Sequence, residues 1–172
     1  MKLLIILFFS IFVAFASNFK DINSFEATFK QSIINNSGSE ILYSGKIFIK
    51  KPFSIVWEYR KPIEKYVYII DKKATIIEPD LEQAIFSTLD KKINILKLLE
   101  NAQQISPNQY ISTFNNIDYT LTIINNQLEQ INYKDSIDNN ISISFTNIKQ
   151  NHTIPNQIFQ FTIPNEYDII RK

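Results

Sequence analysis

Few residues in this chain have the types and spacing that catalysis or metal binding needs. Histidine occurs once, at His152, and cysteine does not occur. His152 sits in the polar loop Gln150-Asn151-His152-Thr153, with no cysteine partner and no nearby acidic cluster. That context predicts an exposed loop histidine and no metal site. Glu78, Asp80 and Glu82 have the look of a carboxylate site, but their spacing across Pro79 predicts a solvated hairpin turn. No G-x-S-x-G, P-loop or dinucleotide fingerprint is present. The residues therefore describe neither an enzyme nor a cofactor protein. What the chain has in quantity is apolar surface, with 14 Phe and 8 Tyr, several of them at alternate strand positions. Such faces fill an ordinary core in most proteins. A single sheet with a short helix under it, however, has trouble filling its concave side. The space left is an apolar pocket, the usual form of a lipid site.

The elements that position these faces follow from periodicity. Asn18 to Asn23 has room for one or two helical turns, with Phe19 and Ile22 on one side. Ser24 to Ile34 then puts Phe25, Ala27, Phe29, Gln31 and Ile33 on one face at period two, a half-buried strand. Asn35-Asn36-Ser37-Gly38 is its turn, Gly38 being free to take a positive φ. The return strand, Ile41 to Ile49, places Tyr43, Gly45, Ile47 and Ile49 together, and Gly45 inside a strand predicts a bulge or a close backbone approach. Lys50-Lys51-Pro52 ends that strand. In the next, Phe53, Ile55, Trp57 and Tyr59 alternate with polar or smaller residues. Pro62 breaks the run. Tyr66 to Ile70, Ala74 to Glu78 and Gln83 to Ser87 continue an antiparallel meander, the first two joined by an Asp71-Lys72-Lys73 turn.

At Thr88 the period changes. Between Asp90 and Ala102, Ile95, Leu98, Leu99 and Ala102 share one helical face, while Lys91, Lys97 and Glu100 fall on or near the other. Asp90 reads as the N-cap. Strands resume over 109–114, 117–124, 128–133, 141–148 and 157–163, with hairpin turns at Asn125-Asn126 and Asp138-Asn139-Asn140.

One domain accounts for 172 residues, and 45% hydrophobic with 20% charged residues is ordinary globular composition. Met1-Lys2, the apolar run Leu3 to Phe15 and Ala14-Phe15-Ala16 form the three parts of a cleavable secretory signal, residues 1–16. The run is short for a membrane anchor. The mature domain, 17–172, has no cysteine for lipidation or disulfides. Without Lys2 it carries 17 basic and 17 acidic residues, which argues against a nucleic-acid partner.

The ordered motifs resemble the periplasmic lipoprotein carrier family, LolA. Ser24-Phe25-Glu26-Ala27-Thr28-Phe29-Lys30-Gln31 is similar to the family's opening strand. Ser44-Gly45-Lys46-Ile47-Phe48-Ile49-Lys50-Lys51-Pro52 is similar to its G-x-x-x-x-K-R-P strand. Trp57-Glu58-Tyr59, Pro62 and Glu78-Pro79-Asp80-Leu81-Glu82-Gln83 follow in order, and Phe159-x-Phe161-x-x-Pro164 with Asp168-Ile169-Ile170 resembles the closing segment. The resemblance implies a mainly β fold with short α elements: a curved antiparallel sheet, an incomplete, unclosed β-barrel covered by short lid helices. It implies a monomeric periplasmic chaperone without cofactor or metal. Such a chaperone takes lipoproteins by their acyl chains from an inner-membrane ABC transporter and passes them to an outer-membrane receptor.

Carried over by position, Phe29, Ile47, Ile55, Trp57 and Tyr59 face the acyl-chain cavity, and Ile95, Leu98 and Leu99 form the lid's inner face. Lys51 stands where the family usually has an arginine that hydrogen-bonds lid backbone and latches the closed state. A lysine is a point charge without the planar fork, so the resemblance predicts a looser latch, or closure governed mostly by lid packing. The closing segment has Asn165-Glu166-Tyr167 where the family has a glycine. The outer-membrane receptor of the same pathway shares the fold, but needs an N-terminal lipidated cysteine that this chain lacks. The other reading is a LolA-like β-domain that binds a protein partner or another lipid in a regulatory or envelope-structural role. Asp138-Asn139-Asn140-Ile141-Ser142 also resembles an extended bacterial N-glycosylation acceptor, at Asn140.

Overall fold

A computed structural model of the chain describes residues 21–89 and 95–172. The expected signal segment 1–16, most of the helical turn over 18–23 and the N-cap Asp90 lie outside the described residues. The elements run β1 (Ser24–Ile34), β2 (Glu40–Lys50), β3 (Ser54–Lys61), β4 (Lys65–Ile70), β5 (Lys73–Glu78), β6 (Gln83–Thr88), α1 (Ile95–Glu100) and β7 (Gln103–Ser106). They continue as β8 (Gln109–Phe114), β9 (Ile117–Ile124), β10 (Gln127–Lys134), β11 (Asn140–Gln150) and β12 (Asp168–Arg171). All twelve strands form one sheet, in the order β12-β6-β5-β4-β3-β2-β1-β11-β10-β9-β8-β7. Two meanders thus run outward from β1, which pairs with β2 on one side and β11 on the other. The sheet does not close, because β12 and β7 are its two edges.

Alternation decides which way each side chain faces. Phe25, Ala27 and Phe29 point to the concave side and are buried, as are Ile47, Ile49, Ile55, Leu121, Ile131, Ile143 and Phe145. Each fully buried large side chain is worth about 1.5–3 kcal/mol. Trp57 of β3 and Tyr119 of β9 line one cavity, yet their strands are five places apart in the sheet order. A flat sheet would separate them by about 24 Å at roughly 4.8 Å per strand. The sheet therefore curls around its apolar face.

Turn chemistry keeps this register. Asn115-Asn116 and Asn125-Asn126 take positive φ at both positions, the signature of two-residue hairpin turns that asparagine tolerates. Gly38 sits at φ +82. At Gly45 the β2–β3 pairing is bulged, and the backbone passes so close to Glu58 that no side chain fits. The bonds Lys51–Pro52 and Lys61–Pro62 are cis.

Three elements differ from expectation. The strand expected over 157–163 is instead a 3-10 turn at Asn156–Phe159 followed by irregular chain. This segment crosses the convex face of β2 to β4, where Ile154 packs with Phe48 and Val56, joined by Tyr68, Ile158 and Phe159. Those strands are already paired on both sides, so no backbone ladder is open to a segment lying on their face. The chain pairs only on reaching the free edge of β6, where β12 adds in parallel. Strand β7 is the second element without a sequence signal, and all four of its residues are exposed.

The crossing is pinned at its start, and this corrects the reading of His152 as a free loop residue. His152 is half-buried, and its Nε2 donates to Glu26 Oε2 at 2.8 Å. Lys149 Nζ reaches the same carboxylate at 3.2 Å, and Ser24 Oγ donates to the His152 carbonyl at 2.7 Å. Burial pushes the Glu26 pKa up, but hydrogen bonds from Lys149 and His152, with their charges, outweigh it and leave the value below 4.5. A carboxyl depressed in the fold contributes stability above its unfolded pKa and loses it as pH falls through the folded value. Glu26→Gln is therefore expected to flatten the acid limb of the stability curve below about pH 4.5. Urea titrations at pH 3 and pH 7 check this, and equal losses from the substitution at both pH values would refute it.

Candidate functional site

Helix α1 lies against the concave side and touches β8. Ile95, Leu96, Leu98 and Leu99 are all buried, so the helix is apolar on more of its circumference than a single face. Beneath it is a cavity of about 100 Å³. From the expected set, Ile47, Ile55, Trp57, Ile95 and Leu98 line it. Phe29, Tyr59 and Leu99 do not. Phe29 is fully buried behind the wall, with its ring edge-on to Trp57 at 4.9 Å and to Tyr59 at 5.1 Å. Leu99 is 1% exposed within the core. Sequence reasoning did not single out Ile49, Ile69, Ile131 and Ile143, nor Tyr119 and Tyr133, which complete the lining. Their strand periodicity was visible, but that β9 to β11 curl round to face β2 to β4 was not.

An apolar cavity of roughly 150 Å³ takes one benzene ring. At about 100 Å³, this one is smaller than that. Two side chains tie the helix to the β2–β3 corner. Lys51 Nζ meets Glu100 Oε1 at 2.8 Å, with both side chains about one-third exposed (32% and 33%). Lys97 Nζ stands 4.9 Å from the centre of the Phe53 ring. An ion pair this exposed is worth about 0–1 kcal/mol, less than the burial of any one of the four apolar side chains. Packing therefore contributes more than the Lys51 pair to holding α1 against the sheet. Lys51→Met and Glu100→Gln are each expected to speed amide exchange in α1 by about two- to fivefold, with no further gain in the double variant. Exchange unchanged in both single variants would remove Lys51 from any latch role.

The described residues contain no group of three His, Cys, Asp or Glu side chains able to hold a metal. Among them, no helix is long and apolar enough to cross a membrane. Asp80 and Glu82 are exposed in the 79–82 turn, and Glu78 Oε2 accepts from Gln83 Nε2 at 2.6 Å. Asn140 is exposed at the first position of β11.

Residues 20–110 match the family described as Outer membrane lipoprotein carrier protein LolA. An outer-membrane lipoprotein carrier protein of Campylobacter jejuni is 35% identical over 149 residues, covering 87% of each chain. Its counterpart from Wolinella succinogenes is 34% identical over 155 residues, or 90% of each chain. Among solved structures, an uncharacterized conserved protein from Thermus thermophilus superposes with a TM-score of 0.54 at 10% identity, covering 87% of this chain and 91% of its own. That likeness concerns the fold.

Proposed function

The chain belongs to the LolA family of outer membrane lipoprotein carrier proteins, and from that premise we propose that it carries lipoproteins across the periplasm with their acyl chains under α1. It takes them from an inner-membrane ABC transporter and releases them to an outer-membrane receptor, acting as a monomer exported by the 1–16 signal segment. The observation that carries this reading is the apolar cavity between the curled sheet and α1, lined almost wholly by Ile, Leu and aromatic side chains. Phe29, Tyr59 and Leu99 support that wall. Ile47, Ile55, Trp57, Ile95 and Leu98 meet the chains, and Lys51 restrains the helix through Glu100.

The energetics suit a carrier better than a permanent store. Each buried CH₂ is worth about 0.8 kcal/mol, so a full set of acyl chains held without opposition would not be passed on. Uptake here must displace four buried side chains of α1, and that cost offsets part of the gain. The test is to incubate residues 17–172 with spheroplasts loaded with a labelled triacylated lipoprotein. A soluble one-to-one complex is the expected result. Lipoprotein left in the membrane beside folded protein would overturn the carrier role and favour a LolA-like domain with another ligand.

A further inference from the structure

The cavity is chemically asymmetric. Near α1 its wall is aliphatic: Ile49, Ile55, Ile69, Ile95 and Leu98. At the other end, toward the hairpin tips, the lining changes to Tyr119 and Tyr133, whose rings lie 4.8 Å apart. The aromatic layer continues beyond the lining. Tyr59 stacks beside Trp57 at 6.2 Å and meets Tyr43 edge-on at 5.6 Å. Gln31, opposite Tyr43 in the β1–β2 ladder, is a buried polar residue on this otherwise apolar face.

Two polar groups in this region are weakly bonded or unpaired. Tyr59 Oη donates to Gln31 Oε1 at 3.4 Å, longer than a strong O–H···O bond. On the same rung as Tyr119 and Tyr133, Ser112 is 2% exposed, and its Oγ has no partner among the described residues. A buried hydroxyl left unpaired costs free energy that a ligand acceptor can recover. The phenols also hold their protons. Burial, with neighbouring Tyr119 and Asp135, pushes Tyr133 up to about 12. Burial, then Tyr133 and Tyr43, raises Tyr59 further. At neutral pH the Tyr59, Tyr119 and Tyr133 hydroxyls are donors. Lys65 Nζ, 4.7 Å from the Tyr59 ring centre, adds a positive charge on the solvent side.

We infer that Gln31, Tyr43, Tyr59, Tyr119 and Tyr133 form a subsite for the polar linkage of an acylated ligand, donating hydrogen bonds to its ester and amide carbonyl oxygens. The inference rests on the carrier reading and adds an orientation to it. The hydrocarbon points toward α1, and the glycerol ester junction stays at the tyrosine end. An apolar wall alone cannot distinguish an acyl ester from a plain hydrocarbon of equal length. A cluster of phenol hydroxyls can, because only the ester supplies acceptors where they stand.

The test separates these two contributions with two probes, a dipalmitoyl-S-glycerylcysteine peptide and a pyrene-bearing hydrocarbon without oxygen. Tyr59→Phe combined with Tyr133→Phe removes two hydroxyls and keeps both rings. The double variant is expected to bind the diacyl peptide about tenfold more weakly, and the hydrocarbon within about twofold of the unsubstituted protein. Unchanged peptide affinity, or equal losses for both probes, would overturn the subsite while leaving the cavity as a lipid site. Failure of the unsubstituted protein to take up either probe would remove the carrier reading, and the subsite with it.

Discussion

Ile69→Trp is expected to abolish lipoprotein uptake in a protein that still folds. Ile69 lies in β4 opposite Ile55 and Ala74, and it lines the cavity without being part of the fully buried core. An indole at this position projects into about 100 Å³ of free space instead of into packed side chains. Overpacking a filled core costs about 1–3 kcal/mol; filling an existing void costs less, because the new contacts replace missing ones. Thermal unfolding should therefore move by only a few degrees. Acyl chains competing for the same volume meet an occupied site, and recovery of the soluble lipoprotein complex should fall at least about tenfold, equivalent to roughly 1.4 kcal/mol. Ile137→Trp is the control, because Ile137 is 71% exposed in a hairpin tip. Full uptake by a folded Ile69→Trp protein would mean that the chains bind elsewhere.

Gly45→Ala should instead remove a large part of the fold's stability. A Cβ built at Gly45 would stand 1.8 Å from the Glu58 carbonyl oxygen and 3.0 Å from Phe29 Cε1. The first neighbour is backbone, in the β3 strand that pairs with β2, and cannot turn aside as a side chain would. Relief requires the two strands to separate at the bulge, which also shifts Phe29 and the Trp57–Tyr59 pair packed on it. The expected cost is on the order of 3–5 kcal/mol, a large part of the 5–15 kcal/mol that typically separates folded from unfolded chains. Gly38→Ala makes the comparison informative. Gly38 has open space around it and a φ of +82, so that substitution meets only left-handed backbone strain of about 1–2 kcal/mol. Urea midpoints for the two variants should therefore differ clearly. Similar midpoints would show that the β2–β3 approach is looser than the structure has it.

The sequence by itself determined the local architecture of this protein. Period-two alternation from Phe25 to Ile33 and from Tyr43 to Ile49 marked β1 and β2 and the side chains they bury, because the pleat sends neighbours to opposite faces. Gly38 and the Asn125-Asn126 and Asp138-Asn139-Asn140 runs marked hairpins, because these residues tolerate positive φ. Gly45 inside a strand announced a close approach, and the ordered motifs pointed to the LolA family, which the similarity to known carriers shows.

What only the tertiary structure decided lies between residues far apart in the chain. The Lys51–Glu100 pair joins a strand corner to a helix end, and nothing in either neighbourhood requires the other. The clasp of Glu26 on His152 spans most of the domain. The 157–163 segment has the alternation of a strand, yet it lies across a sheet with no ladder open to it. The mostly exposed four-residue β12 pairs because β6 offers a free edge. The polar end of the cavity is of the same kind. Tyr59 was expected on the cavity side and Tyr133 only as the end of a strand, and they become neighbours because the sheet curls. Alternation records which face a side chain takes, through local sterics. Which faces then meet depends on curvature and strand order, and those are properties of the whole sheet.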